Sequence, residues 1–503
     1  MLVPLPFSVK VPYYDHTAPR GKSFHTEMSM FLPSQWLATL TNDLRLELQL
    51  DEIFGISKLE SFWATQLKKN PKMLQHPMMK KNNFTKRAIP VLIHGDGAEF
   101  EYNNSLMTIS MTGLLKEGSV ADTSLLLASW PKNSTVKGVE DTWRVIWHWL
   151  SWDFNQLFDN RYHGQDPWKG PLPEDREELA GQAICGHDLF VVLWGVLGDH
   201  EFFQNHLGLP NTSNQAPNPA CQWCLCNKLN MKNHWFNFDD AAPWMKGGPR
   251  EAADHPINTI VGMTSGHYLV DWLHTVDLGI ASHALANVLF NIVYDKLNHM
   301  SRAKAMELVV DKLLAYPSHH GSDFSSMELK HITNPQRPHK EYPLIHHMKA
   351  AHVRHMVPMI HGVFGEFAGP SPYDAFQEEM LKALAKLYDV MHSGGLVFTP
   401  SEYAAFKQAA FCFLGAYKAL AEEAEKAGLK RYNIVPKFHY FVHLVQQSEL
   451  LNPRACWCYG GEDLVGRAST LAHSCTRGTP QHKVALTMMD KYRVAVHVKW
   501  SMM

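Results

Sequence analysis

The chain has 503 residues, 45% of them hydrophobic and 19% charged, and a formal net charge of -2. That length is enough for roughly two to four structural units with well-buried cores. The near-neutral balance excludes binding to nucleic acid through a global positive field, so any phosphate contact has to come from local basic patches.

Residues 1–87 open with Pro-rich, irregular sequence followed by short helical patches, of which SQWLATLTNDLRLELQLDEIF is the clearest. They read as an N-terminal accessory segment. The opening MLVPLPFSVKVPYYD has no charged region followed by an apolar one, and no run reaches membrane-spanning length, which points to an intracellular, reducing setting. Lys68, Lys69, Lys72, Lys80, Lys81, Lys86 and Arg87 fall in a stretch without an acidic residue. Such a stretch is either a solvated loop or a track for phosphates.

From Arg87 the pattern turns to strands. AIPVLIHGDGAEFEY reads as a strand breaking at His94-Gly95-Asp96-Gly97, SLMTISMTGLL as a second and SLLLASWPK as a third, an antiparallel meander. A helix follows over VEDTWRVIWHWLSWDFNQLFDN. After a charged, Pro-rich loop, LFVVLWGVLGDHE has the continuous apolar run of a strand buried on both faces, stopping at Gly198 and Asp199. The predicted fold is therefore α/β: a ribonuclease-H-like core with a mixed sheet, three antiparallel strands, then a helix, then a strand, interrupted by a large all-α insertion. In that order the first and fourth strands lie side by side, about 4.8 Å apart, and bring Asp96 and Asp199 close enough to share divalent metals. Taken singly, Asp96 is equally an Asp-Gly turn and Asp199 a carboxylate bonded to its own backbone.

Eight cysteines in so long a chain do not make a disulfide framework, and Cys221, Cys224 and Cys226 crowd together as metal ligands do. A CxxC needs two further ligands. The segment HYLVDWLHTVDLGI offers Asp271 and His274, three apart and so on one helix face, with a helix cap and a packed histidine as the plainer reading. Residues 280–430 are helical almost throughout, the longest helix opening at the capping box Thr399-Pro400-Ser401-Glu402. His346, His347, His352, His355 and His361 read as helix-face packing or phosphate contacts before metal ligands. Most of the 30 histidines are expected to be buried or half-buried imidazoles. Near the end Gly460 and Gly461 allow a tight approach, and Glu462 opens a predicted helix through Ala472. Arg467, His473, Arg477 and Lys483 are the cations wanted around a scissile phosphate. The predicted division is 1–87, 88–220, 221–435 and 436–503, the last segment completing the core.

An apolar strand into HGDG, a strand ending in GDH followed by LGL and a CxxC, a D-x-x-H ahead of a helical block, and a late GED on a helix together resemble eukaryotic cut-and-paste DDE transposases, with the closest look to the CACTA-like and Kyakuja/Dileera-like groups. The resemblance covers roughly 88–480 and rests on the order of short motifs. It implies Asp96, Asp199 and Glu462 as catalytic, metal-holding carboxylates for two Mg²⁺ or Mn²⁺ ions, and metal-dependent DNA cleavage followed by strand transfer. It further implies Cys221, Cys224 and His274 as ligands of a structural Zn²⁺, DNA contacts from Lys80, Lys81, Lys86, Arg87, Arg467, Arg477 and Lys483, a homodimer and a nuclear setting, without a membrane. No zinc finger or helix-turn-helix for reading transposon ends is recognisable at the N-terminus, so a domesticated or truncated copy fits. Two other readings stay open: a catalytically silent descendant that binds DNA or protein, and a metal hydrolase built on the histidines.

Overall fold

The structure is a computed structural model that describes residues 3–16, 21–138, 141–212, 221–227, 229, 234–238, 242–246, 254–316 and 326–502. The chain forms two compact units. The first takes Met1–Asn211, Pro249–Leu269 and Cys458–Met503, the second Thr212–Gly248 and Val270–Trp457.

The first unit starts with an antiparallel hairpin of β1 (Phe7–Asp15) and β2 (Lys22–Met30), in register from Phe7↔Met30 to Asp15↔Lys22. The sequence reading expected irregular chain here. Phe7, Val9, Val11 and Tyr13 are buried while Ser8 and Lys10 are exposed, the period of a half-buried strand, and Pro12 in its middle obscures the pattern. Helices α1 (Pro33–Asn42), α2 (Glu47–Phe54) and α3 (Leu59–Lys69) follow. Ser34 donates its N–H and Oγ to the buried Asp153 carboxylate at 2.6 and 2.7 Å, Trp36 Nε1 donates to Leu126 O at 3.1 Å, and Trp63 Nε1 to Ala88 O at 2.8 Å. These bonds satisfy buried polar groups of the sheet and of α1 and α3 together. Residues 3–87 are therefore built into the first unit and are not an appended segment.

The expected element order is present: β3 (Ala88–Glu101), β4 (Asn104–Gly113), β5 (Ser124–Pro131), helix α4 (Thr142–Asp159) and β6 (Phe190–Gly198). The four strands make one mixed sheet in the order β5-β4-β3-β6, antiparallel except for the parallel pair β3 and β6. The first and fourth core strands are thus neighbours, as expected. One detail differs: β3 does not break at His94-Gly95-Asp96-Gly97. Its parallel pairing with β6 stops at Gly95↔Gly198, but its antiparallel pairing with β4 carries on to Glu101↔Asn104, around a turn where Asn103 takes a φ of 57°. The Asp141 carboxylate caps α4 by accepting from the N–H groups of Trp143 and Arg144, and Ile146, Trp147, Leu150 and Phe154 on α4 are buried against β6 and α1. Directly after β6 comes α5 (His200–Leu207).

The second unit is helical. A helical stretch runs from Leu273 to Lys296, kinked at Gly279 (φ -122°, ψ -108°), π-helical over Leu273–Ala281 and Asn291–Lys296 and α-helical over Ser282–Phe290 (α6). At 24 residues it reaches membrane-spanning length, against expectation, yet 94% of its apolar window is buried within the fold, where it serves as a core helix. Around it stand α7 (Arg302–Ala315), α8 (Ala350–Phe364), α9 (Pro372–Ser393) and α10 (Pro400–Lys426), the expected all-α block. The expected capping box opens α10: Thr399 N donates to Glu402 Oε2 at 2.7 Å and Glu402 N to Thr399 Oγ1 at 3.3 Å. Helix α11 (Pro436–Gln447) also belongs here, with Phe438 packed on Phe413 and Tyr417 at ring separations of 6.3 and 4.3 Å. The apolar run expected to open the last part of the sheet core is instead a helix of the second unit.

The chain then returns to the first unit as α12 (Tyr459–His473) and α13 (Gln481–Met502). Helix α12 begins at Tyr459, so Glu462 lies in its first turn. It is bonded to the end of β3, Ser469 Oγ donating to Glu99 O at 2.5 Å and His473 Nδ1 to Phe100 O at 2.8 Å. The tight approach expected at the glycines is found at Gly461, where a Cβ would lie 2.3 Å from the His94 ring on β3.

Candidate active site and metal centre

Asp96, still within β3, and Asp199, just past β6, each follow the last residue pair of the parallel ladder, Gly95↔Gly198, so they lie at the same end of that ladder. Glycine is required at both ladder ends, because a Cβ at Gly95 or Gly198 would come within 2.0 or 2.4 Å of the Phe202 ring. Each Asp also makes the local bond of the plainer reading. Asp96 Oδ1 accepts from Gly97 N at 2.7 Å, and Asp199 Oδ1 caps α5 by accepting from Phe202 N at 2.6 Å. Capping and metal binding are compatible, since a carboxylate has about four lone-pair sites. Glu462 is drawn to the same strand: its neighbour Gly461 abuts His94, which shares a face of β3 with Asp96. Among the described residues, however, the three carboxylates do not form a set whose ligand oxygens all lie within 4.8 Å of one another.

The basic residues divide in two. Lys81 Nζ sits over the rings of Phe158 and Phe190 at 4.7 and 4.9 Å, Lys86 faces Glu60 at 3.7 Å, and Arg87 donates to Asp188 O at 2.8 Å. Arg467 is held by Asp463 at 3.0 Å, one turn earlier on α12. These four already have intramolecular work, and His473 is engaged by Phe100 O. Lys80, Arg477 and Lys483 are exposed. A further cation lies on the face of β3 opposite to Asp96. Lys132, just past β5, lays its Nζ 3.0 Å from the Cβ position of Gly97 and 3.0 Å from Glu201 Oε1.

Three histidines of this unit are held neutral. Burial first, then Lys132 and Lys137, push His206 down to about 3; burial, then Arg144 and His148, push His255 to about 3; burial, then His267, pushes His76 to about 4. Unfolded, each titrates near 6.5. Between pH 6.5 and these lower values the unfolded chain binds more protons, so the stability they confer is full above pH 6.5 and is lost as pH falls. Lowering pH from 7 to 5 is expected to cost on the order of 2 kcal/mol per histidine, read as an earlier urea midpoint. A midpoint that does not move would contradict their burial.

In the second unit Cys221, Cys224, Cys226 and His439 are all buried and bring their ligand atoms within 4.8 Å of one another. His439 Nε2 is 3.3 Å from Cys224 Sγ and 3.4 Å from Cys226 Sγ. Its other nitrogen donates to Trp235 O at 3.1 Å, which turns Nε2 towards the sulfurs, as the outer hydrogen bond of a metal-binding histidine does. Backbone N–H groups of Trp223 and Cys226 point at Cys221 Sγ and Cys224 Sγ. Hydrogen bonds from Cys221 and Cys226 pull the Cys224 thiol pKa down, burial pushes Cys221 up, and burial pushes His439 down, towards the neutral form that ligates metal. Four soft or borderline donors around one point suit a tetrahedral ion with arms of about 2.3 Å to sulfur. The residues therefore form a possible metal-binding cluster of structural type.

This set corrects the expected one. Cys221 and Cys224 belong to it, but His274 does not: its Nδ1 and its backbone N meet Asp271 Oδ2 at 2.8 and 2.7 Å, so the D-x-x-H pair forms both a same-face contact and a helix cap. Cys226, grouped with Cys221 and Cys224 in the sequence, joins the set as expected, and the candidate ligand that was missed is His439. The signal was the pair His439 and His443, four apart on α11 and so on one face, their Nε2 atoms 3.1 Å apart. Among the described residues, the histidines from His346 to His361 form no set of three ligands.

No protein-family model matches the chain, and no curated protein sequence matches it.

Proposed function

We propose that the chain is a DDE transposase-like nuclease with a ribonuclease-H-like core, which cleaves DNA phosphodiester bonds and transfers strands using Mg²⁺ or Mn²⁺. The observation that carries the reading is the parallel ladder ending Gly95↔Gly198, with Asp96 and Asp199 next on the two strands. The bonds of α12 to β3 support adding Glu462 as the third carboxylate. Hard carboxylate oxygens are the donors such ions prefer, and binding would draw the three side chains closer than they now stand. When bound, the ions supply acidification of the attacking water and neutralisation of charge on the leaving oxygen. The chain's own part is to hold Asp96 and Asp199 on adjacent rigid strands, where Gly95 and Gly198 let Phe202 of α5 pack closely, and to bring Glu462 in on a docked helix. DNA as substrate, a dimer and a nuclear setting go with this reading. So does a structural Zn²⁺ held by Cys221, Cys224, Cys226 and His439.

Purified protein is expected to nick duplex DNA with Mg²⁺ or Mn²⁺ and to lose this in Asp96→Asn. No nicking by the parent chain with either ion would sink the proposal.

A further inference from the structure

His94 and Asp96 stand two residues apart on β3, so both side chains leave the same face of the sheet. On that face the cross-strand neighbours of His94 are Ser110 of β4 and Leu197 of β6, and all three are buried. The imidazole is therefore hemmed in on both sides. The first turn of α12 lies against it. A Cβ built at Gly461 would stand 2.3 Å from His94 Nδ1 and Cε1 and 2.4 Å from Cγ, which is the body of the ring and not the tip of a flexible chain. Ordinary contacts between carbon atoms lie at about 3.5–4.0 Å, so a methyl at 461 has to lift the start of the helix by about 1 Å. Glu462 is the next residue. Farther along, α12 is tied to the same strand by the bonds of Ser469 to Glu99 O and of His473 to Phe100 O. With that end fastened, the ring under Gly461 decides how deep the other end sits.

We infer that His94 is a positioning residue of the proposed nuclease site: its ring is the stop on which the first turn of α12 seats, and it thereby sets where Glu462 stands relative to Asp96. This rests on the nuclease reading and names what places the third carboxylate of that site. The role is one of shape, and no proton or bond changes hands at His94. Carboxylates that share divalent ions have little latitude, because each oxygen must come within about 2.1 Å of a magnesium. A misplacement of about 1 Å in such a constellation is enough to cost roughly a hundredfold in rate.

The test is a double-substitution cycle at positions 94 and 461 of the full chain, read by thermal melting, by Mn²⁺ binding in titration calorimetry and by Mg²⁺-dependent nicking of duplex DNA. Alanine is the better helix former, so Gly461→Ala strengthens α12 unless the ring stands in its way. Gly461→Ala is expected to weaken Mn²⁺ binding roughly tenfold and to slow nicking roughly a hundredfold. His94→Ala alone is expected to lower the melting temperature, as an emptied core position does, and to loosen Mn²⁺ binding. Adding His94→Ala to Gly461→Ala removes the clash and is expected to win back roughly tenfold in both readings, which a purely structural loss at either position would not do. Parental Mn²⁺ binding and nicking in Gly461→Ala overturn the inference, as does a double variant no better than Gly461→Ala. If Gly461→Ala does not fold, a double variant that also stays unfolded overturns it. In each of these cases a parent chain that nicks DNA leaves the nuclease reading standing. Where the parent binds Mn²⁺ but does not nick, the binding cycle alone decides; a parent that does neither brings down both.

Discussion

Asp199→Asn is expected to leave the fold intact and to reduce metal-dependent DNA cleavage by roughly three orders of magnitude or more. The fold survives because the structural duty of Asp199 is to accept the Phe202 N–H at 2.6 Å as the cap of α5, and Asn is an equally good cap. The activity does not, because an amide offers one neutral oxygen where a hard divalent ion wants an anionic one. Charge stabilisation by such an ion is worth several kcal/mol in the transition state, and about 1.4 kcal/mol is a factor of ten in rate. Thermal melts and single-turnover cleavage on the same preparation check both halves. Cleavage at the parental rate would remove Asp199 from the site, and a large drop in melting temperature would mean that its capping role had been underrated.

If the cluster holds the proposed zinc, Cys226→Ser and His439→Ala are each expected to abolish it and to cost much of the stability of the second unit, whereas His274→Ala keeps the metal. Other contacts also tie the loop bearing Cys221, Cys224 and Cys226 to α11, among them Tyr440 OH donating to Thr212 Oγ1 at 2.8 Å and Trp223 against Tyr440 at 5.2 Å and His443 at 6.3 Å. Structural zinc contributes on the order of 10 kcal/mol in small metal-dependent folds; a unit with its own aromatic core needs less from it. Elemental analysis of purified parent and variants reads this directly. Zinc retained in His439→Ala would favour His443, whose Nε2 stands 3.1 Å from that of His439, as the working ligand, and zinc lost in His274→Ala would restore the set expected from sequence.

What could be read from the amino acids alone follows from how local each signal is. The strand order was legible because each core strand carries an apolar run bounded by turn residues, and two of those runs lead into Gly-Asp. The all-α block was legible from its spacing and from the Thr399 capping box. The β1 and β2 hairpin was not, because Pro12 sits inside an otherwise alternating strand and broke the pattern. Nor was the length of β3: its continuation past Gly97 depends on pairing with β4, while the partner that stops there is β6. The fourth member of the possible metal-binding cluster was out of reach for a different reason. His439 lies 215 residues after Cys224, on a helix whose Phe438, Tyr440 and Phe441 read as plain core.

The central claim is that Asp96, Asp199 and Glu462 grip ions at one point. Loading the protein with Fe²⁺ in place of Mg²⁺ and adding ascorbate and peroxide releases hydroxyl radicals at the bound ion, and these cut the nearby backbone. The account predicts fragments ending beside all three positions, suppressed by excess Mg²⁺ and absent from Asp199→Asn. Cuts beside only one of the three, or a pattern that Mg²⁺ leaves unchanged, would contradict it.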